Sequence, residues 1–195
     1  MDQLEASPEG CTPIAASNAQ RRLIESDVAA FLKVAPIPEG LRFDVMDCAV
    51  DGFVYKGQSI VVSARLSRLP AAQRFFILAH ELGHVKLSHH AAMNSFVARV
   101  VETAADERAA RAAIASGLTA ISQQNELDAD AFAVRLMKDA GHDPEEAARL
   151  FDSIGEGQDN ATHPSSGRRA RAIRAVIKTM AAPVRSASAE TPAAG

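Results

Sequence analysis

The chain has 195 residues, enough for one domain with a buried core and too few for two of full size. Hydrophobic residues make up 47% and charged residues 23%, an ordinary globular balance that calls for no disulfide scaffold. A net charge of -3, with one Tyr and no Trp, offers neither the basic field nor the stacking rings of a nucleic-acid binder, and no draw to an anionic membrane.

The first residues, Met1-Asp2-Gln3-Leu4-Glu5, show no basic stretch followed by an apolar one, so no secretory signal is expected. No long uninterrupted apolar run occurs, so no integral membrane span is expected either. Cys11 and Cys48 stand at no metal-ligand spacing; they read as thiols of a reducing compartment, although two cysteines can also form one bridge. The expected location is cytoplasmic. Residues 1–16, with Pro8, Gly10 and Pro13, are expected to be flexible, and 181–195, built largely from Ala, Ser, Pro, Thr and Gly, to be a disordered tail. The folded domain is then 17–180.

Within it, Leu23, Ile24, Val28, Phe31 and Leu32 form a stripe near period 3.6, which predicts a helix over 17–34 that ends before Pro36 and Pro38. Three short strands follow, over 41–50, 53–55 and 59–63, with Asp51-Gly52 as a turn and Ile60-Val61-Val62 as a β-branched run. Their short links predict an antiparallel sheet. Phe75, Leu78, Leu82 and Val85 lie on one face of a helix opening at Pro70 and running to about His89. An Ala-rich, charged segment over 91–115 is expected to break at Gly117. Further helices are expected over 122–140, stopped by Gly141; from Asp143-Pro144 to about Ile154; and over 167–180, the last one basic. The order gives an α+β domain, mostly helical, with a small sheet before the helix that opens at Pro70 and carries His80 to His84.

The chemistry concentrates in His80-Glu81-Leu82-Gly83-His84. Residues four apart share a helix face, so His80 and His84 can turn both imidazoles to one metal ion, with Glu81 beside them. Two histidines, a carboxylate and an open position make a hydrolytic zinc centre, and Glu81 would be the general base that activates the zinc-bound water. The same pattern can also be a polar helix face. Yet Phe75-Phe76-Ile77-Leu78-Ala79 precedes it, and polar groups in a buried helix need partners. Glu126 and Asp130, four apart on a predicted helix, supply a third ligand and a hydrogen-bond acceptor for a ligand histidine, or else an acidic solvent face. Asp128 is offset from them and is assigned to solvent.

The run from His80 to His89, HELGHVKLSH, resembles the motif of the CAAX prenyl protease and HtpX family of gluzincin zinc metallopeptidases. The run ELDADAFA from Glu126 is similar to that family's segment around its glutamate ligand. Gly141-His142-Asp143-Pro144 and Thr162-His163-Pro164, with Arg169 six residues after His163, resemble two further family elements in the same order. The resemblance implies a zincin-like metalloprotease domain. One Zn2+ per chain would be bound by His80, His84 and Glu126. Glu81 would be the base and Asp130 the partner of a zinc-bound histidine. His163 would stand near the open coordination position, as transition-state stabiliser or gate, and Arg169 would hold that loop or the oxyanion. Read alone, Arg169 is a surface charge among Arg168, Arg171 and Arg174, and His163 is as well placed in an exposed loop as in a site.

The activity implied is a zinc metalloendopeptidase acting on peptides or unfolded proteins, with an extended substrate lying beside the 60–63 strand. His89 and His90 are read as the end of the motif helix. The 93–117 segment is a helical lid, a partner-binding arm or a solvated amphipathic helix. Two alternatives compete. One is a regulatory metalloprotease of the kind that cleaves a repressor in mobile elements, against which Asp130 and His163-Pro164 argue. The other is a zinc-stabilised interaction domain without catalysis, against which Glu81 argues.

Overall fold

The computed structural model describes residues 10–181. Asn18 starts α1 (Ala19–Val34), its side chain accepting hydrogen bonds from the N–H groups of Gln20 and Arg21 at 2.8 and 3.1 Å. α1 buries Ile24, Val28 and Phe31, whereas Leu23 and Leu32, the flanks of the sequence stripe, stay exposed.

Four strands, β1 (Cys11–Thr12), β2 (Arg42–Cys48), β3 (Gly52–Tyr55) and β4 (Ser59–Ser63), pair in the order β1-β2-β4-β3. The sheet is mixed, not antiparallel as expected. β2 runs parallel to β4, with Phe43 opposite Ile60, while β3 is antiparallel to β4. Lys56 and Gly57 both take positive φ, as a tight hairpin turn requires, and fold β4 back along the inner side of β3. All five β4 residues are buried. A β-branched run is therefore the strand enclosed on both sides, and β3 is left at the edge.

Cys11 pairs with Cys48 across the ladder, and the two form a disulfide. Of the two readings open for these cysteines, the bridge is the one realised, and the thiol argument for a reducing compartment loses its premise. Within the segment expected to be flexible, Cys11–Thr12 form β1; residues 1–9 and 182–195, with nearly all of the expected tail, lie outside the described residues.

A short 3-10 helix (Ala64–Arg68) leads into α2 (Ala71–Lys86), which carries the His80 to His84 motif. α3 (His89–Thr103) and α4 (Glu107–Asp139) follow. Gly117 does not interrupt α4. It is where α3 crosses, and a Cβ there would stand 2.1 Å from Cζ of Phe96. Gly141, at φ +79°, does end α4: its N–H bonds to the Lys138 carbonyl and the His142 N–H to that of Met137. α5 (Glu145–Ile154) and α6 (Ser166–Ala181) complete the chain.

α2 sits at the centre, packed against the sheet, α4, α5 and α1. Its residues Phe76, Leu78 and Leu82 are 1% exposed and share one core with Phe31, Ile60, Val62, Val134, Met137 and Ile173. Each such side chain contributes about 1.5–3 kcal/mol by burial, so the motif helix is held firmly. The architecture is the mostly helical α+β zincin-like domain expected, with its small sheet ahead of the motif helix. Among the described residues, no helix is long and apolar enough to cross a membrane.

Candidate metal centre

α2 and α4 cross at Gly83. A Cβ on Gly83 would lie 3.2 Å from the Ala129 Cα and from the Phe132 ring, so a side chain there would press the α4 backbone back, and glycine allows this close approach. The crossing sets Glu126 and Asp130, one turn apart on α4, against His80 and His84, one turn apart on α2.

The result is a tight polar cluster in an apolar setting. The Nε2 atoms of His80 and His84 are 3.0 Å apart. The Glu126 carboxylate faces both, with Oε2 3.4 Å from His80 Nε2 and Oε1 3.3 Å from His84 Nε2. One ligand atom from each of the three lies within 4.8 Å of the others. Glu126 Oε2 is buried and makes no hydrogen bond of good geometry, its near neighbours being His80 Nε2 and the ion-paired Arg169 Nη1. Two imidazoles and a carboxylate converging on one point fit a divalent ion of zinc's preference for nitrogen and oxygen donors.

The electrostatics follow from this crowding. Burial alone would lower the pKa of His80, but its contacts with Asp130 and Glu126 outweigh burial and raise it from 6.5 to about 9. Burial would raise Glu126, yet the neighbouring His80, His84 and Arg169 hold it far below the usual carboxylate range. Glu81, also buried, goes the other way: desolvation dominates and its pKa is raised.

Asp130 is 1% exposed and accepts from His80 Nδ1 at 2.9 Å. Arg169 grips it with two parallel bonds, Nε to Oδ2 at 2.8 Å and Nη2 to Oδ1 at 2.6 Å, and sets Nη1 3.1 Å from Glu126 Oε2. Its guanidinium also stacks 4.3 Å above the Phe151 ring. With a side chain only 12% exposed, Arg169 is no surface charge, contrary to its reading in isolation; its α6 position turns it inward while Arg171 and Arg174 face out. Its guanidinium thus bridges the Asp130 and Glu126 carboxylates.

His163 lies across the cleft, Nε2 3.7 Å from Glu126 Oε1, with its side chain half exposed. Its loop is pinned by Asn160, whose Oδ1 accepts from the N–H groups of Thr162 and His163 at 2.9 and 2.7 Å. Asp128 is exposed, as expected, and takes a hydrogen bond from Gln124.

His89 was missed. It does not end the motif helix; it opens α3, is 7% exposed, and sets Nδ1 2.9 Å from His84 Nδ1. Burial and the neighbouring His84 push its pKa down to about 4. The cluster floors a cleft of about 710 Å³, bordered by Val50, Asp51 and Gly52 on one side and by Phe76, Leu150 and Phe151 on another. The strand at its rim is therefore β3, not the 60–63 strand expected there, because β4 has both edges paired.

The family model for peptidase family M48 matches residues 17–177, most of the chain and every element of this cluster. The chain belongs to peptidase family M48. It is thus a member of a metallopeptidase family, and its His80, His84 and Glu126 form a site able to hold the metal. No curated protein matches the sequence.

Proposed function

We propose that this M48 protein is a zinc-dependent endopeptidase whose domain spans 17–180 together with the β1 strand bridged to it, with His80, His84 and Glu126 as the zinc ligands. The observation that carries this reading is the convergence of these three side chains in the floor of an open cleft. When bound, zinc supplies the Lewis acidity that polarises a peptide carbonyl and brings a water's pKa toward 7.

The protein's own groups do the rest. Glu81 follows His80 on α2 and lines the same cleft. Its carboxylate takes the proton of the attacking water and passes it to the leaving amine. Asp130 fixes the His80 ring by accepting its Nδ1 proton, and Arg169 fixes Asp130 and Glu126 in turn. Arg169 is spoken for by these two carboxylates, so it acts as a positioning residue. His163 has an Nε2 free of hydrogen bonds on the cleft side and can donate to the carbonyl oxygen as charge develops there. An extended peptide would pair with the free edge of β3.

Within the family, the four motifs favour kinship with the CAAX prenyl protease and HtpX members, and peptides or unfolded proteins as substrates. The acidic balance of the chain argues against nucleic acid as a partner. The Cys11–Cys48 bridge favours an oxidising compartment over the cytoplasm.

The test is cleavage of casein and of a random peptide library by the zinc-loaded chain. Cleavage lost on chelation and restored by zinc is expected. Stoichiometric zinc without cleavage of either substrate would turn the reading toward a zinc-stabilised interaction domain.

A further inference from the structure

His84 offers Nε2 to the metal cluster, and its other ring nitrogen is occupied too. His84 Nδ1 lies 2.9 Å from Nδ1 of His89, with the rings at 79° and their centroids 4.9 Å apart. A continuous helix would not make this contact: at about 100° per residue, a side chain five positions on points some 140° away. The chain instead breaks after Lys86. Ser88 adopts φ +57°, a left-handed conformation that costs a non-glycine residue on the order of 1 kcal/mol, and α3 restarts from there. The break brings His89 back over His84, and His89 is the one α3 residue that is buried.

We infer that His89 is a positioning residue for the metal site, its Nδ1 accepting the Nδ1 proton of His84 and holding that ring with Nε2 toward His80 and Glu126. This rests on the zinc-ligand reading above. An imidazole that coordinates through Nε2 carries its proton on Nδ1, so the nitrogen facing that proton must be an acceptor. His89 therefore carries its own proton on Nε2. The two ligand histidines are oriented by different partners. Asp130 holds His80 and adds a negative charge; His89 holds His84 and adds none. A role in packing alone would be filled equally well by Phe, whereas Asn places an acceptor oxygen near the Nδ1 position.

The experiment compares wild type, His89→Phe, His89→Asn, His84→Ala and Glu126→Ala in the full chain. Zinc affinity is measured by competition with a chromogenic chelator, the cobalt-substituted form by its visible spectrum, and the His84 Nδ1 proton of the zinc form by NMR. In His89→Phe, zinc affinity is expected to fall about 10- to 100-fold, the usual cost of losing a ligand's hydrogen-bond partner. Its cobalt bands shift and the protected proton is lost, while His89→Asn returns to within a few-fold of wild type. If His89→Phe matches wild type in affinity and spectrum while Glu126→Ala loses zinc, His89 has no positioning role and the ligand assignment stands. If His84→Ala and Glu126→Ala bind zinc like wild type, the ligand assignment falls and this inference with it. Should His89→Phe not fold, His89→Asn decides. Near-wild-type affinity with the proton retained supports the inference, and a folded His89→Asn with lost affinity overturns it.

Discussion

The two halves of α4 are one helix with two different jobs. From Glu107 to Asn125 none of its residues is buried; with α3 this half forms an arm whose seam, around Phe96 and Gly117, is only partly covered. From Glu126 onward, Glu126, Ala129, Asp130, Ala133, Val134 and Met137 are all buried against α2 and α6. Helix propensity is high throughout, so propensity does not separate the halves. What separates them is the spacing of small residues: Ala129 opposite Gly83 lets α4 approach α2 closely enough for carboxylates to meet imidazoles.

The sharpest way to break this contrast is to change its two ends. Glu126→Ala is expected to lower zinc affinity by more than ~100-fold, beyond what loss of an outer partner costs. Titration against a chelator reads it directly. Gly83→Val puts a branched side chain against the Ala129 backbone and should destabilise the fold by about 1–3 kcal/mol, seen as a lower urea midpoint, with weaker zinc binding as well. An unchanged midpoint would mean that the crossing tolerates separation.

A subtler consequence of the buried half, whose Glu126 and Asp130 face His80, lies in protons. In the metal-free protein His80 has a pKa of about 9, raised from 6.5. A raised pKa stabilises the metal-free fold fully below 6.5, and that stabilisation fades as pH rises through about 9. Zinc must displace this proton, so its apparent affinity should climb roughly tenfold per pH unit until His80 is neutral, then flatten. Calorimetry in buffers of different ionisation enthalpy would show about one proton released per zinc near pH 7; none released would contradict the assignment. The smallest effect belongs to the arm. Arg111 and Glu107 form an exposed pair one turn apart, and Arg111→Ala should change stability by less than about 0.5 kcal/mol.

The same contrast explains what the sequence could and could not tell. His80, His84, Glu126 and Asp130 sit at helical spacings inside regular helices, and Gly141 is a stop signal with a backbone mechanism, so all were legible. Strand order was not. The hairpin residues 56–57 announce a turn, but nothing local says that β4 rather than β3 lies beside β2. Gly117 looked like a breaker because a glycine's sequence signal is the same whether it ends a helix or admits a crossing ring. Arg169 looked exposed because its neighbours are. His89 was hidden because its contact depends on a left-handed Ser88, a conformation that serine does not advertise.

The central claim is that Glu81 moves the proton at a metal held by its neighbours. Its most direct test is zinc content and casein cleavage for wild type and Glu81→Gln side by side. One zinc per chain in both, with cleavage reduced by about 100-fold or more only in Glu81→Gln, is the result predicted. Equal cleavage by the two would contradict it.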